Sequence, residues 1–183
     1  MHVPSVGVNR IHKMALSRSL SGSRYSKIGL IILGVGIIFH ITGFSVPDWV
    51  EVETAVGKAN KGLWKVCGEE VLGCDYLYDQ PGWFEGVQVL ETVGLVFEVA
   101  ALFCVGWYMY LGSRTAVFSS AATSLASALS TIIGLIIFWA RHDSDEDLNW
   151  GFAFEVIGAL NCIGAGGLFI YEGKTRTGYV SLR

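Results

Sequence analysis

Four stretches of apolar sequence, each long enough to cross a bilayer as a helix, dominate this chain. Ile28–Val46 runs 19 residues without a formal charge. Gly86–Leu111 has 26 residues and carries Glu91 and Glu98. Ala116–Ala140 has 25 and no charge, and Trp150–Tyr171 has 22 with one acid, Glu155. A hydrocarbon core about 30 Å thick takes roughly 20 helical residues, so each block predicts a transmembrane helix. Composition agrees. Charged residues make up 16% of the 183 and the hydrophobic set 52%, against about 25% charged in an average soluble domain. One core in so short a chain cannot hide that much apolar surface. Disorder is excluded by the same figures. A net charge of −3 without a basic stripe argues against nucleic acid as a partner.

The first block could also serve as the apolar region of a signal peptide. Its length exceeds the usual roughly 7–15 residues, and no small-x-small cleavage site precedes Pro47. It reads as a retained span. Trp83, Phe84, Trp107, Tyr108, Tyr110, Trp150 and Tyr171 flank the blocks and read as interfacial aromatic belts.

Lys and Arg near span ends set orientation. Residues 1–27 hold Arg10, Lys13, Arg18, Arg24 and Lys27 and no acid. Arg114 follows span two, and the tail holds Lys174, Arg176 and Arg183. Four spans put these three segments on one side. The other side has residues 48–85, with three Lys against eight acids, and residues 141–149, with one Arg against four. The expectation is a multi-pass plasma-membrane protein with both termini cytoplasmic. Residues 1–27 and 173–183 form cytoplasmic segments, and residues 28–172 form the membrane domain, with outer loops 47–85 and 141–149. The bilayer is the first partner.

The longer outer loop carries the pattern. Val50, Val52, Thr54 and Val56 alternate with Glu51 and Glu53, the period of a half-buried strand. Gly57–Gly62 is rich in turn formers. Leu63–Cys67 reads as a second strand and residues 74–78 as a third. Isolated hairpins are marginal in water, so a tie is expected. Cys67 and Cys74 lie on the side where disulfides persist, with Gly68 and Gly73 between them permitting a tight turn. The alternatives are two free thiols or a metal pair, the latter disfavoured because the loop has no His. Cys104 and Cys162 fall inside spans and read as small apolar packers.

Trp49, then Gly62-Leu63-Trp64, then Cys67 and Cys74 resembles the W–GLW–C–C signature of the claudin, peripheral myelin protein and epithelial membrane protein superfamily. The resemblance covers about Ile28 to Tyr171 and has the motif after the first of four spans, as the family does. It implies an all-α transmembrane fold, a left-handed four-helix bundle topped by a small extracellular antiparallel sheet. It also implies contacts between neighbours through that sheet, or a paracellular pore lined by it. The sequence departs from typical claudins. The loop is short, Gln88 or nearby apolar residues stand where claudins carry an Arg, and the last residues are Ser181-Leu182-Arg183 rather than Tyr-Val. Binding of the C-terminus by a scaffold domain is not expected.

Glu91, Glu98 and Glu155 are unusual inside a span, because a charge near the bilayer centre costs roughly 2.5–3.5 kcal/mol. Glu91 and Glu98, seven apart, share a helix face. Two readings stand. One is an ion path or proton relay; the other, preferred, is a set of carboxyls that lock helices together, with His40 and Thr42 of span one and Asn161 of span four as partners. Ser120, Ser124 and Ala128, and Ala122, Ala126 and Ser130, form small-residue faces in span three, and Gly recurs in spans one and four. Such faces favour close helix packing or self-association.

No catalytic set is present, and an enzyme is not expected. Asp143, Asp145, Glu146 and Asp147 lack the Gly and distal Glu of a calcium loop and read as a solvated tip. His2, His12, His40 and His142 are scattered, so neither a metal site nor another cofactor is expected. The expected role is non-enzymatic: cell–cell contact, junctions or membrane organisation, through outer loops and lateral association with copies of itself or related tetraspans. The alternatives are an auxiliary subunit of an ion channel or receptor, and a cation-preferring paracellular barrier in which Glu69, Glu70, Asp75 and Asp79 attract cations.

Overall fold

The computed structural model describes residues 23–54, 57–68, 73–142 and 147–180, with residues 54 and 176–180 as backbone only. Four long helices, α1 (Arg24–Ser45), α2 (Gly82–Leu111), α3 (Arg114–Arg141) and α4 (Trp150–Val180), coincide with the four apolar blocks. All four are long and apolar enough to cross a membrane.

Their ends have local causes. Ser23 caps α1, its Oγ accepting from the Tyr25 N–H at 3.2 Å. Pro81, which has no donor to lose, precedes α2. Gly112 ends α2 in the left-handed region at φ 67°, its N–H bonded to the Tyr108 carbonyl at 2.7 Å. With Ser113 it makes the short turn that folds α3 back along α2. The most extensive packing is α2 on α3, α1 on α4, and α3 on α4; α1 touches α2 more sparsely.

The bundle exposes large apolar side chains and buries several polar ones. Ile31, Ile38, Leu129 and Phe103 are 62–76% exposed, whereas Glu91, Glu98, Glu155, Ser120 and Ser124 are fully buried. A water-soluble bundle buries its apolar stripe. Lipid as the surrounding solvent accounts for the opposite choice, and the arrangement fits a multi-pass membrane protein.

Between α1 and α2 the chain forms β1 (Val50–Thr54), β2 (Gly57–Lys61), β3 (Lys65–Gly68) and β4 (Gly73–Tyr76). A short β5 (Asp147–Leu148) follows α3. The antiparallel sheet has the order β4-β3-β2-β1-β5. Two expectations change. Gly57–Gly62 is not a turn: β2 occupies it, pairing Val50 with Lys61 through Thr54 with Gly57. Pairing to strands on both sides overrides the local turn preference of Gly, Lys and Asn. Gly57, at φ 123°, takes a conformation other residues avoid. The second outer loop also joins the sheet, because Asp147 and Leu148 pair with Glu51 and Val50. Asp147 thus sits in a strand; Asp143, Asp145 and Glu146 lie outside the described residues.

Two apolar cores result. One lies under the sheet and includes Trp49, Val50, Leu63, Phe84, Val87, Leu135 and Phe138. The other fills the opposite half of the bundle, with Leu33, Ala101, Val105, Tyr108, Ala128, Cys162 and Phe169 among its members. Phe84 and Tyr108 therefore belong to the interior and not to an aromatic belt. Trp107, Tyr110, Trp150 and Tyr171 do face outward.

Candidate functional site

The motif residues join sheet to helices. Trp49 is fully buried, donates its indole N–H to the Gly43 carbonyl at 2.8 Å, and packs edge-on against Phe138 and Phe152. The backbone around it is pinned on both sides. Trp49 N–H bonds Lys61 O at 3.1 Å, Asn149 N–H bonds Trp49 O at 2.8 Å, and Gly151 N–H bonds Asp48 O at 2.8 Å. Gly62 lies where a side chain does not fit, since an added Cβ would meet the Val46 carbonyl oxygen and, at 2.7 Å, Pro47 Cα. Leu63 is fully buried, and its carbonyl accepts from Gln88 Nε2 at 2.6 Å. Trp64 is half-buried against Phe44, with ring centroids 5.1 Å apart. The motif thus seats the hairpin on the end of the bundle.

Cys67 and Cys74 form a disulfide between directly paired residues of β3 and β4. It fastens the last strand of the sheet. Every residue of β4 is exposed, Asp75 included, and Tyr76 and Tyr78 are 60% and 77% exposed. Asp79 is exposed just beyond, at φ 51°. Glu69 and Glu70 lie outside the described residues.

Below the sheet, between the two apolar cores, the three acids of the apolar helices converge on one histidine. His40 Nδ1 faces Glu98 Oε2 at 3.0 Å. On its other side, Nε2 faces Glu155 Oε2 at 3.6 Å and Glu91 Oε2 at 3.8 Å. All four side chains are at most 1% exposed. The seven-residue spacing in α2 brings Glu91 and Glu98 to opposite edges of a single imidazole. Glu98 Oε1 also accepts from Cys162 Sγ at 2.7 Å. His40 Nε2, Glu98 Oε2 and both carboxyl oxygens of Glu91 and of Glu155 are buried without a hydrogen-bond partner. Three carboxyls around one imidazole in a low-dielectric interior need neutralising, by protons or by a cation.

Glycines make the space. A Cβ at Gly134 would meet Glu91 Oε1, one at Gly43 would meet Glu155 Oε1 at 2.9 Å, and one at Gly94 would meet His40 Cε1 at 3.2 Å. Gly43, one of the span-one glycines read as favouring close packing, thus also helps seat the polar cluster, together with Gly94 and Gly134, which the sequence reading did not single out. Serines of α3 do more than pack: Ser120 and Ser130 donate to carbonyls of Ala101 and Leu90 on α2, and Ser124 to that of Cys162 on α4.

The expected partnership of the acids holds for His40 alone. Thr42 Oγ1 turns back to Ile38 O at 2.7 Å, and the Asn161 amide to Ile157 O at 2.8 Å. Each satisfies itself within its own helix, a cheaper solution than reaching across. Cys162, read as an apolar packer, does belong to the apolar core and in addition donates to Glu98. One acid escaped the sequence reading. Glu172, next to the expected end of span four, is 1% exposed at the opposite end of the bundle. Its carboxylate accepts from Tyr108 Oη at 2.5 Å and from Ser23 Oγ. Its placement near a span end hid it, because the helix continues nine residues past the apolar block.

No protein-family model matches the chain.

Proposed function

We propose that this protein is a claudin-like tetraspan of the plasma membrane, with a left-handed bundle, cytoplasmic termini and the sheet outside. Its role is contact and not catalysis: it joins neighbouring cells or organises the membrane through the sheet. The observation that carries this reading is strand β4. An exposed edge strand, held by a disulfide, bearing Tyr76 and followed by the exposed Tyr78, offers unpaired backbone and aromatic area, the chemistry of strand addition and of interface anchors. The orientation rests on the basic residues gathered at one set of span ends. Asp75 and Asp79 on the same edge give it an acidic character, which favours partners with basic or polar surfaces over acidic ones.

The test is expression of the full chain in non-adherent cells that lack junctions. Cell clustering with the protein enriched at contacts is the expected result, and Tyr76→Ser with Tyr78→Ser should reduce it at equal surface level. A uniform surface distribution with no clustering overturns the contact role. If an ion channel or receptor then co-purifies in stoichiometric amount, the auxiliary-subunit reading replaces it.

A further inference from the structure

The buried cluster has the form of a metal site. We propose that His40, Glu91 and Glu155 bind one divalent transition cation of the Zn2+ or Mn2+ kind, with Glu98 orienting the imidazole. One nitrogen or oxygen atom from each of the three residues lies within 4.8 Å of the others. The separations from His40 Nε2, 3.6 and 3.8 Å, exceed the roughly 2.7–3.2 Å of a hydrogen bond. They approach the roughly 3.3–3.6 Å between ligand atoms of a tetrahedral ion whose bonds are about 2.0–2.2 Å long. Inward rotation of the Glu91 and Glu155 side chains completes the site, since the three ligand atoms lie within 4.8 Å of one another.

Acidity alone does not carry this inference. The imidazole Nε2, 99% buried, points between two carboxylates and bonds to neither, and four carboxyl oxygens around it are likewise without a hydrogen-bond partner. Groups so placed carry a large desolvation penalty unless something occupies the space among them. A divalent cation offsets the charges of Glu91 and Glu155, and the charge of Glu98 is left to the His40 Nδ1 and Cys162 Sγ groups that face it. The other ring nitrogen, Nδ1, faces the Glu98 carboxyl at 3.0 Å. A carboxylate behind a ligating histidine is the usual way a protein fixes the imidazole tautomer and raises its basicity toward a metal.

Donor type selects the ion. One imidazole with carboxylates suits zinc or manganese; calcium and magnesium prefer all-oxygen shells, and copper(I) needs sulfur. Cys162 Sγ is turned to Glu98, outside the proposed ligand set. The role is structural. The site is enclosed, so the ion enters as the helices assemble, and it ties α1, α2 and α4 together. The α1–α2 tie matters because these two helices touch far less than α1–α4, α2–α3 or α3–α4 do.

The test is elemental analysis by mass spectrometry on the full-length protein, purified in detergent without chelator from cells supplied with zinc and manganese. The expected content is about one equivalent per chain, falling below about a tenth in Glu91→Gln/Glu155→Gln that remains monodisperse. If that variant does not fold, X-ray absorption at the metal edge of the parent decides, with one nitrogen and otherwise oxygen expected in the first shell. Three results overturn the proposal. The parent is metal-free and takes up neither ion from zinc or manganese chloride, the folded variant keeps the metal, or the shell contains sulfur or several nitrogens. A metal-free parent would leave protons as the neutralising charge.

Discussion

Replacing Gly62 by alanine tests how the sheet is fastened to the bundle. The methyl group would collide with the Val46 carbonyl oxygen and approach Pro47 Cα to 2.7 Å. Both are backbone, so neither can rotate away. The two sides of the collision are also fixed. Gly62 N–H is bonded to Lys65 O at 2.9 Å, and Lys61 O to Trp49 N–H at 3.1 Å. Overpacking of this sort costs about 1–3 kcal/mol. If residues 46–47 give way, the Trp49 indole bond to Gly43 O lengthens, and a hydrogen bond contributes about 1 kcal/mol more. The sum is about 2–4 kcal/mol, a fall in melting temperature of about 5–15 °C for a chain of this size. Thermal unfolding in detergent, followed by a thiol-reactive dye, reads this directly, since Cys162 is free and buried. Gly34→Ala is the control, because its Cβ would meet nothing within 4 Å; it should be neutral or raise stability by up to about 1 kcal/mol. A Gly62→Ala protein that melts within about 1 °C of the parent would show that the junction yields, and the steric account of this motif glycine would be wrong.

At the other end of the bundle, Tyr108→Phe removes the hydroxyl that bonds Glu172 and should lower stability by about 1–3 kcal/mol. Combined with Glu172→Gln, the loss should be smaller than the sum of the two, by more than about 0.5 kcal/mol; strict additivity would mean the two groups are not coupled. Asp48, outside the spans, has its pKa raised above 3.8, mainly by burial, with the Asn60 hydrogen bond opposing. A raised folded value means that Asp48 contributes stability below the unfolded pKa and loses it as pH rises through the folded one. Asp48→Asn should therefore flatten the pH dependence of melting on the acidic side, and an unchanged slope would remove Asp48 as its source.

The spans were legible because length and hydropathy are local: Ala116–Ala140 needs no neighbour to be recognised as a helix long and apolar enough to cross a membrane. The disulfide was legible for a similar reason, since Cys67 and Cys74 lie close in sequence and on the side of the acids. The Gly57–Gly62 segment was not. Its composition favours a turn, and only the strands on either side make it β2. Likewise nothing near Asp147 and Leu148 signals a strand; their partners, Glu51 and Val50, are almost a hundred residues away.

By itself the sequence determined what had to be apolar, which ends are basic or acidic, and that Glu91, Glu98 and Glu155 are out of place in lipid. Tertiary structure alone decided what those acids face. His40 sits on α1, Glu91 and Glu98 on α2, and Glu155 on α4, and their convergence depends on how three helices rotate and slide against one another. Those rotations follow from glycines at the contacts, such as Gly43 and Gly94, whose missing side chains leave room for the cluster. A helix's hydrophobic pattern states which residues avoid water; in a bilayer, where lipid and protein interior are both apolar, it does not state which face turns inward.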